Sequence, residues 1–228
     1  MNRDEKRDRF TGLAPAVVEH EGRRAVFPCE PTGRTWISAN EAGVCLALIN
    51  WHRVKREPSS CVRSRGEVIR KLAGISTSDK ISTAVKKLPL RNLRPFRLIA
   101  VVPFEQLVTE WRWNLERLTA RKHAWQMQHW FSSGFNEERA ERERERACTA
   151  ARDRQSLGGL RRLHRSHRPK RGPFSICMHR DEAATVSYTE VGVSARSVIM
   201  RYKDGAPCLR RSTTTKTCKF LRAHTTNR

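Results

Sequence analysis

Residues 25–50 read AVFPCEPTGRTWISANEAGVCLALIN. Apolar and polar positions alternate and then give way to an apolar run, with turn signals at Gly33 and at Asn40-Glu41-Ala42-Gly43. The pattern predicts successive antiparallel strands. The last of them, Val44 to Asn50, reads as buried on both faces. Asn40 is the kind of residue that tolerates the left-handed backbone of a turn.

Downstream the period changes. Gly66 to Ala73 carries Val68, Ile69 and Leu72, and Asp79 to Leu88 carries Ile81, Ala84, Val85 and Leu88, the spacing of one buried helix face. Residues 96–134 return to strand-like runs between short polar turns, which implies a second layer of sheet. Four of the six tryptophans (Trp111, Trp113, Trp125, Trp130) fall here and read as core packing. Residues 136–153 place Glu137, Glu141 and Glu145 in one row and Arg142 and Arg146 in the next, as in a solvated helix laced by ion pairs. A short helix from Ser156 then runs into a basic connector, and residues 174–205 alternate again as two or three closing strands. The order of strands, helices, strands, helices, strands predicts an α+β domain of stacked antiparallel sheets.

The net charge is +23, from 46 Lys and Arg against 23 Asp and Glu. Basic surface attracts phosphate whatever the fold. Six of these basic residues lie in 209–228, which holds no acidic residue and reads as a disordered basic tail. The rest are spread along the chain, so nucleic acid is not the expected partner, although a polyanion-binding protein stays open as an alternative. No stretch approaches a membrane span and residues 1–30 lack the apolar run of a signal peptide, so a soluble, cytoplasmic protein is expected. The seven cysteines show no CxxC spacing. His164 and His167 stand three apart on a predicted helix, but no third ligand is evident beside them, and neither a metal nor a cofactor is expected. Cys177 and His179 alternate on one predicted strand and share a face, as a half-buried pair rather than a catalytic dyad.

Several stretches in order carry a resemblance: NRDE (2–5), GRTWISANEAGVCLALIN (33–50), SRGEVIRKL (64–72), RPFRLIAVV (94–102), EWRWN (110–114), HWFSSGFNEERAERERE (129–145) and GPFSICMHRDEAATVSYTEV (172–191). From Asn2 to about Cys208 the chain resembles the NRDE family, related to the transport and Golgi organisation protein 2 group. The resemblance implies an N-terminal nucleophile hydrolase plan, similar to bile salt hydrolase and penicillin V acylase: an αββα sandwich spanning 1–208. Its family chemistry is amide hydrolysis, in which a terminal Cys thiolate attacks the carbonyl and the chain's own α-amine serves as base.

The family pattern begins Met-Cys and a strand of about a dozen residues before the NRDE stretch. Here NRDE follows Met1 directly, so an N-terminally truncated chain without its nucleophile, inactive as it stands, is expected. The resemblance maps Asp4 to the carboxylate facing the nucleophile's amine, with Arg3 beside it, and Asn50 to a strand-end oxyanion contact. Asn2, Ser132 and Ser133 are the candidate substrate-binding residues, for an unknown small amide-type substrate or ligand. A carrier or trafficking protein that keeps the pocket without the chemistry is the other alternative.

Overall fold

The computed structural model describes residues 1–9, 11–58, 63–151, 156–209 and 212–220. Seven strands follow one another as an antiparallel meander: β2 (Leu13–His20), β3 (Arg23–Cys29), β4 (Ile37–Asn40), β5 (Cys45–Asn50), β6 (Phe96–Val102), β7 (Leu107–Trp113) and β8 (Leu118–His123). A four-stranded sheet is ordered β1-β9-β10-β11, from Asn2–Lys6, Ala183–Val193, Ser197–Asp204 and Thr213–Lys219. Its chain-distant pairing of β1 with β9 unites the two ends of the domain.

The sheets stack face to face over β2–β4. Val26 of β3 and Ala39 of β4 meet Val198, Met200 and Cys218, and Trp36 and Ile37 pack on Tyr202. The opposite face of the large sheet is covered by α1 (Gly66–Leu72) and α2 (Ser78–Lys86). There Val68, Ile69, Leu72, Ile81 and Val85 join Leu46, Leu48, Phe96, Leu98 and Trp111 in the largest core. Asn40 fixes this layer to the β4–β5 turn: its Oδ1 accepts from the N–H groups of Ala42 and Val44, and its Nδ2 donates to the carbonyls of Ala73 and Ile75 behind α1. The positive φ that the turn demands falls to Gly43 (φ 79°). The outer face of the small sheet carries α3 (Glu137–Ala150) and α4 (Leu157–His164). Helix, sheet, sheet, helix: this is the α+β, αββα plan.

The structure departs from the sequence reading at several points: β6–β8 extend the sheet of β2–β5 rather than form a second layer, and Trp125 is exposed rather than core. β5 is buried only on the face of Leu46 and Leu48, because the small sheet covers β2–β4 and reaches β5 only at its margin. The helix at 137–150 is not simply solvated, for it buries Arg144 and Ala140 against the body of the protein. Within 209–228, Thr213–Lys219 is a paired strand rather than a disordered tail, since β-branched threonines suit a half-exposed edge and Cys218 turns inward onto the core. Residues 221–228 lie outside the described residues, as does Cys61.

Candidate functional site

β1 is five residues long, and its two faces serve different surroundings. Arg3 enters the space between the sheets. Its Nη2 donates to Glu30 at 2.5 Å and its guanidinium lies 4.2 Å from the centre of the Trp36 ring. Arg3 Nη1 and Trp36 Nε1 are both buried and have no hydrogen-bond partner among the described residues. Each such idle donor is expensive, on the order of 1–3 kcal/mol, unless something accepts from it. The Tyr202 hydroxyl, donating to the Gly12 carbonyl at 3.3 Å, closes the same end, and a Cβ at Gly12 would stand 2.8 Å from the Trp36 ring.

Asn2 and Asp4 face the other way, toward α3 and α4. Asn2 Nδ2 donates to the carbonyls of Ile176 (2.8 Å) and His164 (3.1 Å), and its Oδ1 meets His164 Nδ1 at 3.1 Å. Burial holds the His164 imidazole well below its usual pKa. It stands as a spacer between helix and sheet. The register shifts between Arg3 and Asp4, so that Arg3 pairs with Ser187 but Asp4 with Thr185. That shift lets Thr185 donate to Asp4 Oδ1 at 2.6 Å while Arg144 donates to Asp4 Oδ2 at 3.1 Å. Arg144 also donates to the carbonyls of Ser175 (3.1 Å) and Ser132 (3.2 Å). One guanidinium thus ties β1, the 132–134 loop and the segment after α4 together.

The residues singled out in the sequence are accordingly brought together in part. Asp4 and Ser132 meet through Arg144. Ser133 Oγ accepts from Phe135 N–H and shapes its own turn. Gly134 lies against His52, for a Cβ there would stand 3.5 Å from the imidazole. Asn50, two residues before His52, pairs across the sheet with Phe96 and has the strand parity of Leu48, on the helix side of the large sheet. No described contact joins it to Arg3 or Asp4.

Sequence reasoning missed a second cluster beside Asp4. Met178 N–H donates to Thr185 Oγ at 2.8 Å, which hangs the flanking Cys177 and His179 from the Asp4–Thr185 pair. His179 Nε2 lies 3.2 Å from His167 Nε2 and 3.5 Å from the sulfurs of both Cys177 and Cys208. The four ligand atoms all lie within 4.8 Å of one another. Burial pushes the Cys177 thiol up to about 12 and lowers His179. The C-x-H spacing was a usable signal, but His167, expected on a helix with His164, lies beyond the end of α4, and Cys208 is separated from it by two whole strands.

The order of layers makes the chain an αββα sandwich of two stacked antiparallel sheets. No family model matches it, and no curated protein does. Solved structures that it resembles include penicillin V acylase from Agrobacterium tumefaciens, at 11% identity and TM-score 0.45, over 88% of this chain and 78% of that one. Another is a mutant of conjugated bile acid hydrolase from Clostridium perfringens, at 9% identity and TM-score 0.46, over 96% of this chain and 88% of that one. Among the described residues no helix is long and apolar enough to cross a membrane.

Proposed function

We propose that this chain is the body of an NRDE-type protein related to cysteine N-terminal nucleophile amide hydrolases. In this reading the space between the sheets beside Arg3 takes the acyl or carboxylate end of a small amide. The observation that supports it is the pair of buried, unpartnered donors, Arg3 Nη1 and Trp36 Nε1. A carbonyl or carboxylate oxygen is the kind of acceptor that would satisfy each of them. Such donors, fixed in advance in a site that excludes water, are what an oxyanion requires.

The nucleophile would arrive on a strand laid against β1. Among the described residues β1 pairs on one side only, with β9, and the ladder is still running at Met1, whose amine donates to the Thr189 carbonyl at 2.6 Å. β9 continues through Glu190 to Val193, bonded there to β10. Both the outer edge of β1 and this overhang are places for further strand. Asp4 and Asn50 remain the carboxylate and oxyanion positions that the resemblance proposes, with Asn2, Ser132 and Ser133 as lining. Asn2 and Asp4, however, face α3 and α4, and Asn50 the helix side of the large sheet, so the contact proposed between the sheets falls to Arg3 and Trp36. The 228 residues by themselves, with Met1 ahead of Asn2, are proposed to be inert toward amides.

The test is to fuse a Met-Cys-led strand ahead of Asn2 and assay acyl-amide and penicillin-type substrates, with alkylation of the new terminal thiol as the readout of its reactivity. Hydrolysis that disappears on changing the added Cys to Ala, and whose KM rises in Arg3→Lys, supports the reading. Arg3→Lys is the cleaner probe, because Asp4→Ala also unties Arg144 and Thr185. Unaided turnover by the 228-residue chain would contradict it and move attention to Cys177.

A further inference from the structure

His167, Cys177, His179 and Cys208 come from three separate segments, and each is held there by backbone bonds that do not involve the four side chains. Cys177 N–H donates to the Ser166 carbonyl (3.0 Å), next to His167, and His179 N–H donates to the Gly172 carbonyl (3.2 Å). Ser175 Oγ donates to the Cys177 carbonyl at 2.6 Å and also contacts the Gly172 carbonyl at 2.9 Å. Cys208 sits in a turn closed by Leu209 N–H on the Ala206 carbonyl (3.0 Å). The convergence is therefore built into the fold.

The three spacings from His179 are those of ligands around one tetrahedral ion. Zinc lies about 2.3 Å from cysteine sulfur and about 2.0–2.1 Å from histidine nitrogen, so tetrahedral ligands stand about 3.3 Å apart for two nitrogens and about 3.6 Å for nitrogen and sulfur. The corresponding distances here are 3.2 Å for the two Nε2 atoms and 3.5 Å from His179 Nε2 to each sulfur. Direct hydrogen bonding cannot satisfy this set, because His179 Nε2 alone faces three partners and carries at most one proton.

A second, independent feature points to negative charge at the same place. Lys203 is buried, and its ammonium donates to the carbonyls of Pro207 and Leu209, on either side of Cys208. Among the described residues it pairs with no carboxylate. A buried cation without a counter-charge is costly. Two thiolates beside it would supply that charge.

We propose that these four residues form a structural zinc site of Cys2His2 type. Both cysteines bind as thiolates, each releasing its proton to solvent as its zinc–sulfur bond forms, and both imidazoles bind as neutral ligands through Nε2. Two thiolates and two imidazoles select zinc over the hard cations magnesium and calcium. Four protein ligands leave no open position for water, so the ion clamps rather than catalyses. It locks the segment after α4 and the turn after β10 onto the outer face of the small sheet. Asp4, through Thr185 and Met178 N–H, is a positioning residue for this loop.

The test uses the full chain, purified reduced and free of chelator. Metal analysis is expected to find roughly one zinc per chain. Titrating the metal-free protein with cobalt(II) chloride should give the intense visible bands of tetrahedral cobalt together with thiolate-to-cobalt charge transfer. Cys208→Ser should lose a large part of that charge transfer, and Cys177→Ser combined with Cys208→Ser all of it, whereas Cys29→Ser should leave the spectrum unchanged. Should the variants fail to fold, the wild-type chain still answers: zinc should protect Cys177 and Cys208, and not Cys29, from iodoacetamide. Absence of a tetrahedral cobalt spectrum, equal labelling with and without zinc, or a Cys177–Cys208 disulfide in place of the metal would overturn the proposal.

Discussion

The two helix layers cover their sheets by opposite means. α1 and α2 sit on the large sheet through hydrocarbon: Val68, Ile69, Leu72, Ile81 and Val85 meet Leu46, Phe96, Leu98 and Trp111, nearly all fully buried. α3 and α4 sit on the small sheet through polar bridges: Arg144 on Asp4, Asn2 on His164 and Arg161 on Glu190, the last with both bonds at 2.7 Å. The buried apolar patch there is small, built from Ala147, Cys148, Leu163 and Ile176. Apolar contact is undirected and resists small shifts. Polar bridges fix side chains at stated distances, and the four-ligand cluster lies among them. The difference locates where the molecule spends its geometric precision.

The largest effect should come from the apolar layer. Phe96→Ala, which empties a fully buried position, is expected to lower stability by about 3–5 kcal/mol, read by denaturant unfolding. A loss under about 1 kcal/mol would mean that this layer is not the principal core.

Next is a buried charge cluster of the large sheet. Burial alone would push the Glu110 carboxyl up, but hydrogen bonds from Arg112 and Arg97 outweigh it and hold the group at about 2. A folded pKa below the unfolded one gives stability that is present above about pH 4.3 and lost as pH falls toward 2. The contribution is on the order of 3 kcal/mol. Wild type and Glu110→Gln should therefore differ at about pH 6 and converge near pH 2, in melting temperature measured across that range. A constant difference at every pH would show that Glu110 acts by packing rather than by charge.

The polar layer should respond more gently. Thr185→Val removes the hydroxyl that joins Asp4 to Met178 N–H and is expected to cost about 1–2 kcal/mol. The loss should be accompanied by weaker cobalt binding at the Cys/His cluster. Unchanged binding would separate Asp4 from that loop. Least of all, breaking the exposed Arg56–Glu116 pair with Glu116→Gln should move stability by less than about 0.5 kcal/mol.

The same contrast explains what was legible in the sequence. The strands within 25–50 and both apolar helices announce themselves, because a buried hydrocarbon face must repeat at the period of its element. The polar layer obeys no such period. Arg144 looks like any other charge in its helix until Asp4, 140 residues away, is folded against it. The segment from Phe174 to Arg180 looks like a strand. It is instead held by Ser175 and Thr185 side chains, and regular pairing begins only at Ala183. The shift of register that separates Arg3 from Asp4 depends on β9, not on β1 itself. Neighbours in NRDE face opposite sides by the ordinary alternation of a strand, but which β9 residue each one meets is not readable from those four residues.

That Asp4 and Arg144 hold the second helix layer while hydrocarbon holds the first is tested most directly by hydrogen exchange of wild type and Asp4→Asn. The variant is expected to lose amide protection in 137–150 and 175–179 while 66–72 and 78–86 keep theirs. Uniform loss across both layers, or none in either, would contradict it.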